Sequence, residues 1–270
     1  MAVTEGVICR GTAAAWLCLG VLVCPACSDH APSSNNLDAA ANESAASVAA
    51  NAAAAVPLQA TCKEIPLEEG AFLERSGPIQ IPAQLNHLAA SGVTSLTVAA
   101  EGQKPPICID ISWYEDVQDM ALLTPDKRFL GFDGIGNESG GYVVVDRRGK
   151  PHEIETGTTP VFSPSGRLFA SAEWSESAFG NFNDIGVWRV TDSGVSRQFK
   201  VPEAQSAIFT GTGDWRTEKW SGEDCVILSM VRSDSSRPGA EERGYAQLKF
   251  DNGGWKLSAT TAKLGCAGKN

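Results

Sequence analysis

Two stretches of this sequence follow the same pattern 39 residues apart, and this repeat constrains the fold more than any other feature. Residues 122–134 read LLTPDKRFLGFDG and residues 161–173 read VFSPSGRLFASAE, so Pro125 and Pro164 are equivalent. Each copy has an apolar pair, a hydroxyl residue, proline, a polar turn, a basic residue and an alternating strand pattern. A divergent third copy runs over residues 219–258. A period of about 40 residues with four strands in each unit is typical of propeller blades.

The chain beyond residue 92 is composed almost entirely of strand patterns. Short segments rich in β-branched and aromatic residues alternate with Gly, Pro, Asn and Asp, and they cover residues 93–100, 106–113, 128–134, 141–149, 167–174, 185–191, 225–232, 245–251 and 255–260. Residues 67–75 and 82–91 have weak helical patterns. We expect residues 61–270 to form an all-β, mainly antiparallel domain with a short helical N-terminal segment. It is either a propeller-like domain of about four blades or a β-sandwich-like sheet domain.

The repeated motif resembles the TolB-like family of WD-type propeller repeats. The matching residues are Pro160, Phe162, Ser163, Pro164, Gly166, Leu168 and Ala170 in the second copy, and Thr124, Pro125, Asp126 and Leu130 in the first. The resemblance covers about half of the chain, and it implies that three copies form blades and that residues 93–118 supply a fourth. It also implies that these motif residues shape turns rather than catalyse, and that the protein binds other envelope proteins.

The N-terminal apolar run GTAAAWLCLGVLVC, residues 11–24, follows Arg10. It has the length of a signal-peptide core and is short for a membrane-spanning helix. Its end resembles the lipobox of bacterial lipoproteins, with Ala26 before the modified Cys27. We therefore expect residues 1–26 to be a signal peptide and Cys27 to carry a membrane-anchoring lipid. Ser28, rather than Asp, follows that cysteine, which by the same resemblance favours the outer membrane. The alternative is an ordinary cleaved signal and a soluble periplasmic product.

Residues 27–60 are rich in Ala, Ser and Asn and contain no aromatic residue. Such a segment buries too little apolar surface to offset its chain entropy, so we expect a disordered tether. As a random coil it would reach roughly 30 Å. The Ala-rich part also has the composition of a helix, although one that is marginal in water.

Four of the eight cysteines lie in the body of the chain: Cys62, Cys108, Cys225 and Cys266. An even set downstream of an export signal predicts two disulfides. We favour Cys62–Cys108 and Cys225–Cys266, because each pair joins segments that are near each other in the chain; buried free thiols are the alternative. The body has no C-x-x-C pair, which argues against a zinc site.

Charge and composition limit the function classes. The net charge of −10 disfavours nucleic acid as a partner. The three histidines, at positions 30, 87 and 152, have no partner at a recognisable spacing, and no nucleophile-elbow or zinc-protease motif occurs. The sequence therefore predicts no catalytic residue, metal or cofactor.

Aromatic residues in predicted loops are the candidate ligand-binding residues. Those loops cover residues 174–184 and 214–220, and the candidates are Trp174, Phe179, Phe182, Trp215, Arg216 and Trp220. Aromatic and arginine side chains suit a protein, peptide or glycan. The alternative is that the aromatic rings pack in the core. These features predict a lipid-anchored envelope lipoprotein that acts as a non-catalytic binding module for such a partner.

Two other functions stay open. One is an envelope hydrolase with a carboxylate pair, either Asp133 with Glu173 or Glu176 with Asp184. The other is a purely structural accessory of the envelope, which would have no concave pocket.

Overall fold

The structure is a computed structural model that describes residues 56–67, 75–102, 104–136, 140–148, 152–173, 182–202, 214–233, 241–260 and 266. The chain separates into residues 1–52 and 53–270, and every described residue belongs to the second unit. The predicted signal peptide, Cys27, most of the tether and most of the predicted helix 67–75 lie outside the described residues. No helix in the described part of the chain is long and apolar enough to cross a membrane.

The described residues form four antiparallel sheets, which confirms the all-β prediction. The first contains β1 (Ala89–Ser91), β2 (Ser95–Val98) and β3 (Ile107–Asp110), and the second contains β4 (Asp116–Leu122), β5 (Phe129–Ile135), β6 (Gly140–Asp146) and β7 (His152–Gly157). The third contains β8 (Val161–Phe162), β9 (Leu168–Glu173), β10 (Asp184–Thr191) and β11 (Gly194–Phe199). The fourth contains β12 (Asp214–Trp220), β13 (Cys225–Ser233), β14 (Glu241–Asp251) and β15 (Gly254–Thr260). Each sheet is an up-and-down meander of consecutive strands.

The two sequence repeats adopt the same turn. In the first, the Lys127 amide donates to the Thr124 carbonyl at 2.9 Å; in the second, the Gly166 amide donates to Ser163 at 2.9 Å. The side chain at the next equivalent position, Asp126 or Ser165, accepts the amide of the basic residue two positions later at 3.2 Å. The turns therefore close by the same hydrogen bonds and start β5 and β9 in the same way.

Alternation along the strands packs the sheets in chain order. On β5, Leu130 and Phe132 join the core shared with the first sheet, whereas Phe129 joins the core shared with the third. On β9, Phe169 faces the second sheet and Ala170 faces the fourth. Both middle sheets are thus buried on two faces. No core cluster of described residues joins the first sheet to the fourth.

Each terminal sheet carries a cysteine pair on its outer face. Thr97 of β2 accepts the Cys62 amide at 3.1 Å, and Cys62 pairs with Cys108 of β3 at a Cα–Cα distance of 5.6 Å. Cys225 of β13 pairs with Cys266 at 6.3 Å. Both Cα separations are in the range that disulfides require. The two favoured pairs therefore lie at disulfide distance.

The predicted helix over residues 82–91 is wrong. Only a single 3-10 turn forms, Ala83–Leu85, and the segment then continues into β1. Ala89 pairs with Val98 across the sheet, while Leu85 and Leu88 are buried in the same core. Strand pairing and burial of these leucines override a weak local helical pattern.

Candidate binding cleft

The repeated turns lie at one end of the sheets, here called the turn end, and the junctions between sheets differ there. At the first junction, Arg147 donates to the Ala99 carbonyl at 2.7 Å, and Arg148 pairs with Glu101 at 2.6 Å. At the third junction, Glu223 accepts both the amide and the hydroxyl of Ser165 at 2.7 Å. These contacts tie the turn ends of neighbouring sheets together.

The second junction holds a cleft instead. Its volume is about 820 Å³, within the usual range of small-ligand sites. Its buried and half-buried apolar side chains are Leu123, Phe129, Phe162 and Val190. Prolines of both turns, polar residues and three guanidinium groups complete it: Thr124, Pro125, Asp126, Arg128, Arg148, Ser163, Pro164, Ser165, Gly166, Arg167, Thr191 and Asp192. An apolar surface surrounded by directional polar groups is suited to binding a ligand.

A buried ion pair supports one wall of the cleft. Arg128 immediately precedes β5. Asp146 is the last residue of β6 and pairs with Phe129 of β5. The guanidinium binds both carboxylate oxygens through Nε and Nη2, at 2.8 and 2.7 Å. It also lies 4.9 Å from the Phe129 ring centroid. The two side chains are 4% and 0% exposed, so the Arg128 position is fixed by a bidentate contact shielded from water.

Arg148 and Asp126 form the next layer toward solvent. Arg148 Nη2 lies 3.2 Å from the Asp126 carboxylate. Partial burial of Asp126 acts to raise its pKa, but hydrogen bonds from Thr124 and the Arg128 amide, together with the arginine charges, outweigh this and lower the pKa below its usual value. Asp126 is therefore ionised at neutral pH and holds the first turn against Arg148.

Aromatic rings continue from the cleft into the second junction. Phe162 lies 5.3 Å from Phe169, which stacks on Trp188 at 5.0 Å. Trp188 in turn contacts Phe182 at 5.5 Å. Phe182, a predicted ligand-binding residue, is thus placed against core aromatics and beneath Arg197. Trp174 and Phe179 lie outside the described residues.

The segment 214–220, predicted to be a loop, is strand β12. Trp215 and Trp220 are 4% and 9% exposed in the core shared with the third sheet, whereas Arg216 is exposed. The two tryptophans are five positions apart, yet both point inward because the register shifts between Thr217 and Lys219. Burial of both rings favours the core-packing alternative for these two tryptophans. Among the described candidates, Phe182 packs against the core of the second junction and the two tryptophans belong to the core of the third.

The carboxylates Asp133 and Glu173 lie on strands of the second and third sheets that face each other, near the end opposite the turns. Burial raises the pKa of both, and repulsion from Asp133 adds to the effect on Glu173. Glu173 accepts the Phe182 amide at 3.0 Å. Asp184 of the other predicted pair instead binds Arg197 at 2.7 Å, and Glu176 is outside the described residues.

No group of three or more potential metal ligands occurs within the described residues. The residues that sequence reasoning missed are those around the cleft, above all Arg128, Arg148 and Arg167. Their signal was present, because the repeat places a basic residue after each turn, at Arg128 and Arg167. Asp146 could not be assigned to Arg128 without the sheet register.

The chain matches no protein-family model, no curated protein and no solved structure. Its class is therefore given by its fold and candidate site: an all-β protein of antiparallel meanders with a cleft between two repeated turns.

Proposed function

We propose that this protein is a lipid-anchored lipoprotein of the cell envelope that acts as a non-catalytic binding module. Its cleft receives a protein segment, peptide or glycan. The observation that carries this proposal is the contrast between junctions: the first and third are bridged by side chains at the turn end, while the second opens into the cleft of about 820 Å³.

The composition of the cleft supports binding rather than catalysis. Phe129 and Phe162 offer aromatic surface, and aromatic and arginine side chains contribute much of the affinity at binding sites. The lining residues that the structure describes include hydroxyl groups and carboxylates but no histidine or cysteine, so they lack the usual nucleophile–base pair.

The anchoring part of the proposal is supported by the lipobox-like sequence before Cys27. Metabolic labelling with an alkyne fatty acid tests it. We expect the wild-type chain to be labelled and to fractionate with the outer membrane, and Cys27→Ala to lose the label. An unlabelled wild-type protein in the soluble periplasm would support the soluble alternative.

Site-specific photocrosslinking tests the binding part. A benzoyl-phenylalanine at Asp192, which lines the cleft, is expected to trap a reproducible partner in intact cells. The matched control is the same probe at Lys256, an exposed residue of β15 outside the cleft lining. Equal trapping from both positions, or none from either, would contradict a cleft-specific binding role and would favour a structural accessory.

A carboxylate-based hydrolase is the second candidate, because Asp133 and Glu173 face the same junction and burial raises the pKa of both. One protonated and one ionised carboxylate is the arrangement that glycoside hydrolysis needs. Hydrolysis of envelope glycans by wild type, abolished in Glu173→Gln, would support it. Unchanged hydrolysis in this variant would exclude Glu173 as its acid.

A further inference from the structure

Arg128 has a donor that the protein leaves open. Its residue exposure is 3%, and Asp146 takes Nε and Nη2. Within the described residues, Nη1 has no hydrogen-bond acceptor, although Arg128 lines the cleft. Nη1 is not one of the described buried polar atoms that lack a hydrogen-bond partner, so it is open to the solvent of the cleft and can donate to water or to a ligand. This donor therefore points to an oxygen ligand in the cleft.

Arg167 faces the same cleft from the second turn. It occupies the repeat position equivalent to Arg128, it is exposed, and it makes no ion pair with a described residue. The charge of Arg167 helps to lower the pKa of Glu223, although these two side chains form no ion pair. The cleft thus has guanidinium donors at two walls that its own acceptors leave unoccupied.

We propose that the cleft recognises a carboxylate next to a large apolar side chain at the C-terminus of a peptide. This inference rests on the proposed binding function. The terminal carboxylate accepts from Arg128 Nη1 and from the Arg167 guanidinium, and the adjacent side chain lies on Phe129 and Phe162. Carboxylates are favoured partners of guanidinium groups because both are planar and the contacts are charge-assisted.

Charge complementarity supports this ligand. The chain carries a net charge of −10, so anions are repelled over most of its surface. Of the three arginines in the cleft lining, Arg128 is paired with Asp146, and Arg148 is paired with Glu101 and Asp126. Among the described lining residues, Arg167 is the guanidinium that makes no ion pair with a described residue. A peptide with one terminal charge and an apolar body matches one unpaired guanidinium beside an apolar surface, whereas a polyanion would meet repulsion beyond it.

Fluorescence anisotropy on the full chain in detergent micelles tests the proposal. The probe is a fluorescein-labelled hexapeptide, Gly-Ser-Gly-Ser-Leu-Phe, with a free C-terminal carboxylate. We expect saturable binding, at least tenfold weaker binding of the C-terminal amide, and weakening with added salt. A second peptide is acetylated at its N-terminus, amidated at its C-terminus and carries Asp directly after Phe, so its carboxylate is on a side chain. A uronic acid tetrasaccharide tests an acidic glycan.

The variant Arg167→Gln removes one guanidinium from an exposed position, so it is expected to fold. We expect it to bind the free-acid peptide about tenfold more weakly and to bind the amide peptide with unchanged affinity. Arg189→Gln is the matched control, since Arg189 is exposed on β10 but does not line the cleft. Any of three results overturns the carboxylate inference. They are equal affinity for the free-acid and amide peptides, tighter binding of the uronic acid or of the internal Asp peptide, and no effect of Arg167→Gln. Absence of peptide binding does so too. Partner trapping at Asp192 is a separate measurement, so the binding function can stand when this inference fails.

Discussion

Lys127 and Gly166 occupy the same position in the two repeated turns, and both have left-handed backbones, with φ of 60° and 69°. The turn geometry therefore requires positive φ at this position whichever residue occupies it. The second copy uses the residue that tolerates this conformation, while the first holds a lysine there at a conformational cost of about 1 kcal/mol.

The first prediction concerns this shared position. Lys127→Gly is expected to stabilise the protein by up to about 1 kcal/mol, and Gly166→Ala to destabilise it by about 1–2 kcal/mol, because L residues are strained at positive φ. No heavy atom lies within 4 Å of a Cβ built at Gly166, so crowding does not contribute. Urea unfolding measures both effects, and a stable Gly166→Ala variant would contradict the strain argument.

The second prediction concerns Gly131, which lies under the Tyr142 ring. A Cβ at Gly131 would lie 2.5 Å from Tyr142 Oη and 2.6 Å from its Cε1, and Tyr142 is 4% exposed. Gly131→Ala is therefore expected to lose about 1–3 kcal/mol through overpacking. The control is Gly77→Ala, where no atom is within 4 Å. Gly131→Ala is also made in a Tyr142→Val background, which has no ring at position 142. An equal loss of stability in that background, relative to Tyr142→Val alone, would show that the ring is not the cause.

The third prediction is a pH dependence of stability. Burial raises the pKa of Glu173 from 4.5 and of Asp133 from 3.8, so the folded state binds these protons more tightly than the unfolded state. Their contribution to stability is fully present at pH values below the unfolded-state pKa. It is lost as the pH rises through the raised pKa of the folded state. Glu173→Gln is expected to raise the melting temperature at pH 7 and to flatten this decline.

Glu64 supplies the opposite sign as a control. Hydrogen bonds from the Thr94 side chain and amide lower its pKa below 4.5. The contribution of Glu64 to stability is present at pH values above its unfolded-state pKa. It is lost as the pH falls through the lowered pKa of the folded state. Glu64→Gln is therefore expected to reduce stability at pH 7. Thermal melts from pH 3 to pH 8 compare both variants, and a Glu173→Gln profile parallel to wild type would contradict the assignment.

The fourth prediction concerns the disulfides. The pairs Cys62–Cys108 and Cys225–Cys266 close loops with sequence separations of 46 and 41 residues, and each is expected to stabilise the fold by about 2–4 kcal/mol. Replacing either pair by serine should lower the unfolding midpoint. Peptide mapping of the unreduced protein checks the pairing, and recovery of Cys62 linked to Cys225 would contradict it.

The sheets and repeated turns could be predicted because their signals are local. Pro125 and Pro164 mark turns in the sequence, and runs of β-branched and aromatic residues such as Tyr142 to Val145 mark the strands. Strand β12 was missed because five of its seven residues, Asp214, Arg216, Thr217, Glu218 and Lys219, are polar. Only the register shift places both Trp215 and Trp220 inward, and a sequence period cannot show such a shift.

The candidate site was harder to predict because it depends on pairing between distant residues. Arg128 and Asp146 are 18 positions apart and meet through the β5–β6 register. The sequence instead favours aromatic residues between positions 174 and 220 as the candidate site, and those that the structure describes pack largely in the core. Propeller closure stays a prediction, since the described packing runs from the first sheet to the fourth.

The cysteine pairs at the two ends of this row of sheets have a consequence for solubility. Cys108 and Cys225 lie on faces turned away from the neighbouring sheets, and Ile227 on the same face as Cys225 is only 1% exposed. Cys62 and Cys266 therefore lie over the outer faces of the first and fourth sheets. We expect reduction to release Cys62 and Cys266 from these faces, so that molecules associate through their terminal sheets before the interior unfolds.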